Sequence, residues 1–207
     1  MHSSPVALGL RLLATAAAGL AIAGWAGGVA SAAGGMATGG LTSQPIGHYE
    51  FCKANPSECS IHPSDLGPAR MTTALWRQLG SVNAAVNAAV KPMSDLEIYG
   101  KDEVWAYPDK GVGDCEDYVL EKRRELMRAG VPAGNLLVTV VRQPNGDGHA
   151  VLTVRTSLGE FILDNLEPRV LAWTDTDYTY LKRQSTRNSG VWVGINDGRS
   201  DAVASVR

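Results

Sequence analysis

The sequence predicts an α+β domain in which a helical N-terminal part packs on an antiparallel β-sheet. The main observation is a change of period along the chain. Apolar residues recur at helical spacing along residues 68–90 and again from Cys115 to about Ala129. Gly130 and Pro132 end the second helix, and the spacing then falls to two, as in β-strands. Turn clusters separate these strands, so consecutive strands are expected to pair as hairpins.

The two ends of the chain are expected to lie outside the folded domain. Residues 1–32 are typical of a signal peptide, with Arg11 before an apolar run and Ala30-Ser31-Ala32 as a cleavage signature. A retained membrane anchor is the alternative, but the run is rich in Ala and Gly and only weakly hydrophobic. Either way the protein is exported. We expect a flexible linker over residues 33–46, a domain over 47–196 and a C-terminal tail over 197–207.

Size and charge narrow the class of protein. Removal of the signal peptide would leave about 175 residues, which is enough for one domain with a sizeable core. The formal net charge is −2, and no basic stripe runs along the sequence. These observations argue against nucleic-acid binding. The sequence also carries no internal repeat, which argues against a repeat architecture.

The predicted elements follow in order. A helix over residues 68–90 carries one apolar stripe, and a loop over 93–110 follows, because Gly, Pro and acidic residues interrupt every period there. Asn83 and Asn87 lie beside the stripe and are typical of a solvated or locally hydrogen-bonded edge. After the Cys115 helix, strands are predicted over 136–142, 149–156, 160–163, 178–182 and 191–195.

Two of the three cysteines are expected to pair. In an exported protein, Cys52 and Cys59 bracket a Pro-containing loop and favour a disulfide, which leaves Cys115 as a free thiol. A metal site built from Cys52, Cys59, His48 and His62 is the alternative. The spacing of the two cysteines does not match the C-x₂₋₄-C pattern of zinc sites, and an oxidising compartment favours the disulfide.

A Gly-rich approach leads to Cys115, which lies between carboxylates in the sequence Gly113-Asp114-Cys115-Glu116-Asp117. We expect Cys115 in the first turn of its helix, where unpaired backbone N–H groups and the positive end of the helix dipole lower the pKa of a thiol. Gly111 and Gly113 would let the backbone turn sharply and keep the sulfur accessible. The pattern favours a nucleophile, and an ordinary buried cysteine is the alternative.

His149 and Asp164 are candidate partners for this thiol. His149 begins one predicted strand and Asp164 ends the next, so both lie at the same edge of the sheet. A turn centred near Leu158 would place Asp164 opposite Leu152, and twist or a β-bulge would have to bring it to His149. Taken alone, His149 could be a surface residue and Asp164 could form an Asx turn with Asn165. The order Cys, His, Asp on these elements favours a catalytic triad.

The same stretches resemble the bacterial transglutaminase-like cysteine protease family, the periplasmic group that includes proteases releasing biofilm adhesins. The matching stretches extend from Phe51 to Val193. They are Val82-Asn83 with Val86-Asn87, Ser94-Asp95, Tyr99-Gly100, Trp105 with Pro108, Gly113-Asp114-Cys115-Glu116-Asp117-Tyr118, Gly148-His149-Ala150-Val151-Leu152 and Leu163-Asp164-Asn165. The resemblance implies a papain-like, transglutaminase-like fold with Cys115, His149 and Asp164 as the triad. It also implies that Trp105, which its position alone would assign to the core, is a wall of the active site.

The resemblance further implies calcium. In the adhesin-cleaving members, acidic residues beside the nucleophile bind Ca²⁺, and the matching residues here are Asp114 and Glu116. Asp117, Asp102, Glu103 and backbone carbonyls would have to contribute, because Ca²⁺ takes roughly six to eight oxygen ligands. The alternative is that Asp114 caps the helix and Glu116 complements its dipole.

The expected function is that of a periplasmic cysteine endopeptidase acting on a protein substrate. The resemblance implies a surface adhesin as the substrate and an inner-membrane cyclic di-GMP receptor as the regulator, although no residue of this chain indicates that receptor. Two other classes remain open. One is a transglutaminase-type acyl transferase, which the same triad permits, and the other is a non-catalytic calcium-dependent binding module on the same fold. The presence of Cys, His and Asp together favours the enzyme.

Overall fold

The computed structural model describes residues 1–2, 34–64 and 67–196. The predicted C-terminal tail, 197–207, lies outside the described residues, and so does the predicted signal peptide except for Met1 and His2. The chain divides into two compact units, Met1–Ser31 and Ala32–Arg207, and the second carries the helices and strands described below. Among the described residues, no helix is both long enough and apolar enough to cross a membrane.

Helices fill the first half of the second unit. The described residues form α1 (Ile46–Ala54), α2 (Pro56–Cys59), α3 (Thr73–Ala89), α4 (Asp95–Tyr99) and α5 (Cys115–Arg128). Short 3₁₀ turns at Ala133–Asn135 and Trp173–Asp175 connect later elements. Helix α5 is amphipathic, as its apolar period predicts, and it ends at Arg128 before Gly130, which has a positive φ of 91°.

The strands follow mainly in the second half. They are β1 (Thr38–Thr42), β2 (Lys91–Pro92), β3 (Val112–Gly113), β4 (Leu136–Arg142), β5 (Gly148–Thr156), β6 (Gly159–Leu163), β7 (Leu171–Ala172), β8 (Thr179–Ser185) and β9 (Asn188–Ile195). Seven of them form one antiparallel sheet in the order β1-β9-β8-β4-β5-β6-β7, whereas β2 pairs with β3 in parallel. The five predicted strands are all present, and the α+β fold class is confirmed.

Helix α5 packs on the central strands because both present apolar side chains at matching periods. The shared core contains Leu79, Val119, Leu120, Leu126, Leu136, Val138, Leu152 and Leu163. The opposite face of the sheet has its own core of Met36, Val141, Val151, Ile162, Tyr180 and Ile195. Strand β4 is therefore buried on both faces, which explains its nearly continuous apolar sequence. This packing fixes the N-terminal end of α5 beside the start of β5.

Two predicted segments of the helical part differ in the structure. Helix α3 begins after Thr72, whose side chain accepts a hydrogen bond from the backbone N–H of Leu75, and not at Pro68. The predicted loop 93–110 contains α4, which a capping box between Ser94 and Glu97 stabilises. Five residues were too short a run for the helical period to stand out from the acidic and Gly residues around it.

The predicted flexible linker over residues 33–46 is wrong for its central part. Residues Thr38–Thr42 form the edge strand β1, which pairs with β9. All five residues are exposed, so no alternation of apolar and polar side chains marks the strand in the sequence. Backbone hydrogen bonds to β9 and the burial of Met36 hold the segment on the sheet instead.

Candidate active site

The thiol of Cys115 lies at the start of α5, as predicted. Asp114 occupies the N-cap position, but its side chain makes no capping hydrogen bond. Gly113 is required before it, because a Cβ at this position would lie 2.6 Å from Oδ2 of Asp117. The local sequence thus lets the backbone pass directly against the first turn of α5. It also places the acidic residues Asp114, Glu116 and Asp117 next to the cysteine in the chain.

The surroundings of Cys115 differ from the prediction in one respect. Its Sγ donates to Oε2 of Glu116 at 3.2 Å, and the backbone N–H of Ala150 donates to the sulfur. Burial raises the pKa of the Cys115 thiol well above its ordinary value, and the Glu116 carboxylate raises it further. The predicted lowering of this pKa by the helix end is therefore wrong, because burial and neighbouring acids outweigh the helix dipole.

His149 and Asp164 form a buried pair. His149 Nε2 lies 2.8 Å from Asp164 Oδ1, and the two residues are 5% and 2% exposed. Burial alone would raise the pKa of Asp164, but hydrogen bonds from His149, from the backbone N–H of Leu166 and from Tyr178 lower it below its ordinary value. An ionised carboxylate only accepts hydrogen bonds, so Nε2 carries the proton. Nδ1 is the ring nitrogen that remains to accept a proton.

The register of the β5–β6 hairpin explains how these two residues meet. Leu152 pairs with Leu163, so continuing the ladder by one residue places Asp164 beside Val151. Val151 and His149 lie on the same face of β5, because side chains alternate along a strand. The predicted register, with Asp164 opposite Leu152, is wrong by one residue. The observed register brings Asp164 diagonally next to His149, and no β-bulge is needed between them.

Tyr178 belongs to the candidate site, although the sequence predicts it only as part of a strand. Its hydroxyl donates to Oδ2 of Asp164 at 2.6 Å, and its ring makes an edge contact with His149 at 5.6 Å between ring centres. Tyr178 thereby holds the second carboxylate oxygen of Asp164 and covers one side of the imidazole. No sequence motif marks this role, because Tyr178 reaches the site from the segment just before β8.

Two asparagines of α3 hold the chain that follows β6. Asn87 Nδ2 donates to the backbone oxygen of Asp164 at 2.8 Å. Asn83 is fully buried, and its Nδ2 donates to the backbone oxygens of Glu167 and Pro168 at 3.2 and 3.1 Å. The expectation of a solvated or locally bonded edge is therefore wrong for both side chains, since they bond across to a loop far along the sequence.

Three carboxylates converge next to the Cys115 turn. The side chains of Asp95, Asp114 and Asp117 each offer an oxygen, and these oxygens lie within 4.8 Å of one another. Oδ1 of Asp95, Oδ1 of Asp114 and Oδ2 of Asp117 are buried and have no hydrogen-bond partner. The other oxygens of Asp95 and Asp117 accept from the backbone N–H groups of Val104 and Ala106. The three carboxylates thus form a compact acidic cluster in which each residue keeps one oxygen without a hydrogen-bond partner.

The electrostatics of this cluster favour a bound cation. Burial raises the pKa of Asp117 to about 7, and the Asp114 and Asp95 carboxylates add to the rise. Burial also raises the pKa of Asp95. Hard carboxylate oxygens without donors are the ligands that Ca²⁺ prefers, so the residues present fit this ion. Glu116 is not part of the cluster, because it faces Cys115 and its side chain bonds to Asp114.

A family model described as bacterial transglutaminase-like cysteine proteinase matches residues 38–200 of the chain. The chain belongs to this family. It is thus a transglutaminase-like cysteine peptidase. The match covers both the Cys115 helix and the His149 and Asp164 strands. A comparison with curated proteins gives no significant match.

Among solved structures, this peptidase is similar to LapG of Legionella pneumophila. The calcium-bound LapG structure is 26% identical in sequence, with 60% of this chain and 71% of LapG covered and a TM-score of 0.50. A second LapG structure gives 28% identity, coverage of 61% and 72%, and a TM-score of 0.49. An EGTA-treated LapG structure gives 28% identity, coverage of 61% and 76%, and a TM-score of 0.48. The fold class predicted from the sequence is borne out.

Trp105 lies in the core of the peptidase. It is 7% exposed, and its ring makes edge contacts with His48 and Trp192 at 5.4 and 6.3 Å between ring centres. Cys115 packs against the same apolar cluster. The position of Trp105 in the sequence predicts this core role, and its further role as a wall of the active site stays a prediction.

The predicted disulfide between Cys52 and Cys59 is present, and Cys115 is a free cysteine. His48 lies beside the two sulfurs, but its ring nitrogens have other partners. Nδ1 is 2.8 Å from Gln44 Oε1, and Nε2 is 3.2 Å from Gln184 Nε2. Burial lowers the pKa of His48 to about 4, so the ring is neutral near pH 7. The surroundings of His48 are those of a hydrogen-bonded core residue.

Proposed function

We propose that this peptidase is a periplasmic endopeptidase that cleaves a protein substrate with Cys115 as nucleophile, His149 as general base and Asp164 as the orienting carboxylate. The observation that carries the proposal is the buried His149–Asp164 pair beside the helix turn that bears Cys115. Ala150, the residue after His149 on β5, donates its backbone N–H to the sulfur of Cys115, so the start of β5 lies next to the nucleophile. This arrangement provides a nucleophile, a base and a residue that fixes the base.

The reaction would follow in two steps. Cys115 loses its proton to Nδ1 of His149, and its sulfur attacks the carbonyl carbon of the scissile peptide. The imidazolium that forms is stabilised by Asp164 and then gives the proton to the leaving amine, which leaves a thioester on Cys115. In the second step, a water molecule gives a proton to His149 and attacks the thioester carbon. The C–S bond then breaks, the carboxylic acid product leaves, and His149 returns the proton to the Cys115 sulfur. The backbone N–H of Cys115 is the first candidate donor to the oxyanion.

We propose that Asp95, Asp114 and Asp117 hold a calcium ion beside this turn. The support is the closeness of the three carboxylates, each of which keeps one oxygen without a hydrogen-bond partner, and the similarity to a LapG structure described as calcium-bound. A bound Ca²⁺ would supply positive charge that neutralises the buried carboxylates. Asp95, Asp114 and Asp117 would then hold together α4, the loop that follows it and the first turn of α5. Glu116, the other predicted ligand, faces the thiol of Cys115.

The family resemblance supports an exported enzyme and a surface adhesin as substrate. The signal-peptide pattern of residues 1–32 is the sequence feature that favours export. Control by an inner-membrane cyclic di-GMP receptor belongs to the same proposal and is carried by the resemblance alone.

A degradomic experiment tests the proposed function. The mature protein and Cys115→Ala are incubated with the secreted and outer-membrane proteome in calcium, and new N-termini are read by mass spectrometry. We expect N-termini that form only with the wild type. Cleavage by Cys115→Ala at the same sites would overturn the proposal. If an added primary amine appears in the products and no free carboxylate forms, the enzyme is instead a transglutaminase-type acyl transferase.

A further inference from the structure

Residues 34–36, which we call the strap, lie on the sheet just before β1 and are held there by specific contacts. The backbone N–H of Met36 donates to Oε2 of Glu160 at 2.8 Å, and Nη1 of Arg183 donates to the same oxygen at 2.8 Å. Met36, Glu160 and Arg183 are each 5% exposed or less. A buried carboxylate is tolerated only where hydrogen-bond donors replace water. The backbone of the strap is therefore one of the groups that stabilise Glu160 inside the fold.

The strap also bonds to the turn that joins β7 to β8. Nε1 of Trp173 donates to the backbone oxygen of Gly34 at 2.6 Å. The Trp173 ring makes an edge contact with the Tyr180 ring, with 5.6 Å between ring centres and 89° between the planes. Within the turn, Oγ1 of Thr176 donates to the backbone oxygen of Trp173 at 2.9 Å. Trp173 is thus held by the strap, by ring packing and by its own turn.

Tyr178 comes at the end of the same turn and contacts both residues of the buried catalytic pair. Its hydroxyl donates to Oδ2 of Asp164 at 2.6 Å, and its ring lies edge-on to the His149 ring at 5.6 Å between ring centres. Trp173 and Tyr178 pack against the same apolar cluster that contains Met36. A continuous series of contacts therefore leads from the strap through Trp173 and its turn to the His149–Asp164 pair.

The same apolar cluster joins the strap to the strands that carry this pair. Val151 and Ile162 belong to the cluster together with Met36. Val151 lies on the same face of β5 as His149, because side chains alternate along a strand. By the same alternation, Asp164, one residue past β6, continues the face of Ile162. Met36 thus packs on the face of the sheet from which both catalytic side chains project.

We propose that Trp173, held by the strap, is a positioning residue for the catalytic pair. Met36 anchors the strap, the Gly34 carbonyl holds Trp173, and the turn then keeps the Tyr178 hydroxyl bonded to Asp164. Trp173 acts only through that hydroxyl and is not itself a catalytic residue. The inference rests on the proposed function, because the position of Asp164 affects turnover only if His149 acts as the base.

The kinetic test is Trp173→Phe, which keeps an aromatic ring against Tyr180 and removes the donor to Gly34. On a peptide that spans a cleavage site, with calcium present, we expect kcat to fall about fivefold and KM to stay unchanged, since one hydrogen bond is lost. Trp76→Phe makes the same change at an exposed position on α3 and should keep the wild-type kcat. Full kcat in Trp173→Phe would overturn the inference.

A double variant shows whether Trp173 acts through Tyr178. Trp173→Phe combined with Tyr178→Phe should have the kcat of Tyr178→Phe alone, because the hydroxyl that Trp173 positions is already absent. A merely structural role of Trp173 would lower kcat again in the double variant. Losses that multiply would therefore overturn the inference.

Hydrogen exchange tests the strap without substrate. In Met36→Ala, the backbone amides of residues 173–178 should exchange on the order of tenfold faster than in the wild type, whereas those of α5 should keep their rates. Met36→Leu, which keeps a large apolar side chain, should restore the wild-type rates. Unchanged exchange at 173–178 in Met36→Ala, or equal acceleration in α5, would contradict the role of the strap. Because this readout needs no turnover, it separates failure of the strap from failure of the proposed peptidase activity.

Discussion

Asp164 and Asp117 are both buried acids of the candidate site, yet their environments move their pKa values in opposite directions. Burial would raise the pKa of each. Asp164 receives hydrogen bonds from His149, Leu166 and Tyr178, which lower its pKa below the ordinary value. Asp117 faces other carboxylates, and its pKa rises to about 7. Such a separation suits Asp164 to the role of a fixed anion and supports the proposed role of Asp117 as a cation ligand.

The triad variants test the residue roles. Cys115→Ala and His149→Ala should each lower kcat on the order of 10⁵–10⁶-fold, because members of a triad act as one unit. Asp164→Asn should cost less, on the order of 10⁴-fold, since the orienting residue is the least severe loss. Turnover of a cleavage-site peptide by each variant, with circular dichroism to verify folding, measures this. Equal activity of His149→Ala and wild type would show that His149 is not the base.

Tyr178→Phe tests the residue that the sequence did not indicate. Loss of the hydroxyl removes one hydrogen bond to a charged carboxylate, worth about 1.5–3 kcal/mol, and the pKa of Asp164 should rise. We expect kcat to fall about tenfold with little change in KM. Tyr180→Phe is the control on β8, because its hydroxyl bonds Thr176 and not Asp164. If both variants lose the same activity, the Tyr178 hydroxyl has no special role.

At the scale of elements, the sequence predicts the sheet better than the helical part. Strands β4 and β5 are bounded by clear turn residues and carry strong period-two or apolar patterns, so their ends are predicted closely. The register of the β5–β6 hairpin was missed by one residue, because the position of a tight turn depends on backbone geometry that side-chain pattern does not encode. That one residue decides on which face of the sheet Asp164 lies.

Short or exposed elements could not be predicted from the periodicity of apolar residues. Strand β1 has no buried side chain, and α4 has too few residues to show a helical period. The candidate triad was predictable because Cys, His and Asp each lie at an element end. Asp95 and Tyr178 were not assigned site roles, since they reach the site from segments distant in sequence. Neither contact follows from local propensity.

The Cys52–Cys59 disulfide closes the short loop that joins α1 to α2. Constraining a loop of this length should stabilise the fold by about 2–3 kcal/mol in the chain-entropy account. We expect one reactive thiol in the denatured, non-reduced protein and a lower melting temperature for the double variant Cys52→Ser, Cys59→Ser. Three reactive thiols, or a disulfide that includes Cys115, would contradict this assignment.

At the scale of the whole molecule, the proposed calcium site would link stability to both pH and calcium. Asp117 has a folded-state pKa of about 7 against an ordinary value of 3.8, so between these values the folded protein binds a proton that the unfolded chain releases. Without calcium, stability should therefore be fullest near pH 4 and fall as pH rises to about 7. A bound cation favours the ionised carboxylates, so calcium should prevent this loss of stability at higher pH.

Melting curves measure this linkage. In EGTA, the melting temperature should fall by roughly 5–10 °C between pH 4.5 and 7.5, and added calcium should restore it at the upper end. Asp117→Asn should reduce the pH dependence and abolish the calcium response, whereas Asp147→Asn, in the exposed turn before β5, should do neither. If the melting temperature at pH 7.5 does not change when calcium is added, the cluster is excluded as a cation site.

Formation of a covalent intermediate on Cys115 tests the central proposal most directly. The protein is mixed with a cleavage-site peptide in calcium, quenched in acid within the first turnover and analysed by intact and peptide mass spectrometry. The account predicts an adduct on Cys115 equal in mass to the N-terminal product fragment less one water, which decays to the free acid and is absent in Cys115→Ala. Peptide cleavage that proceeds at full rate in Cys115→Ala, with no adduct in the wild type, would contradict it.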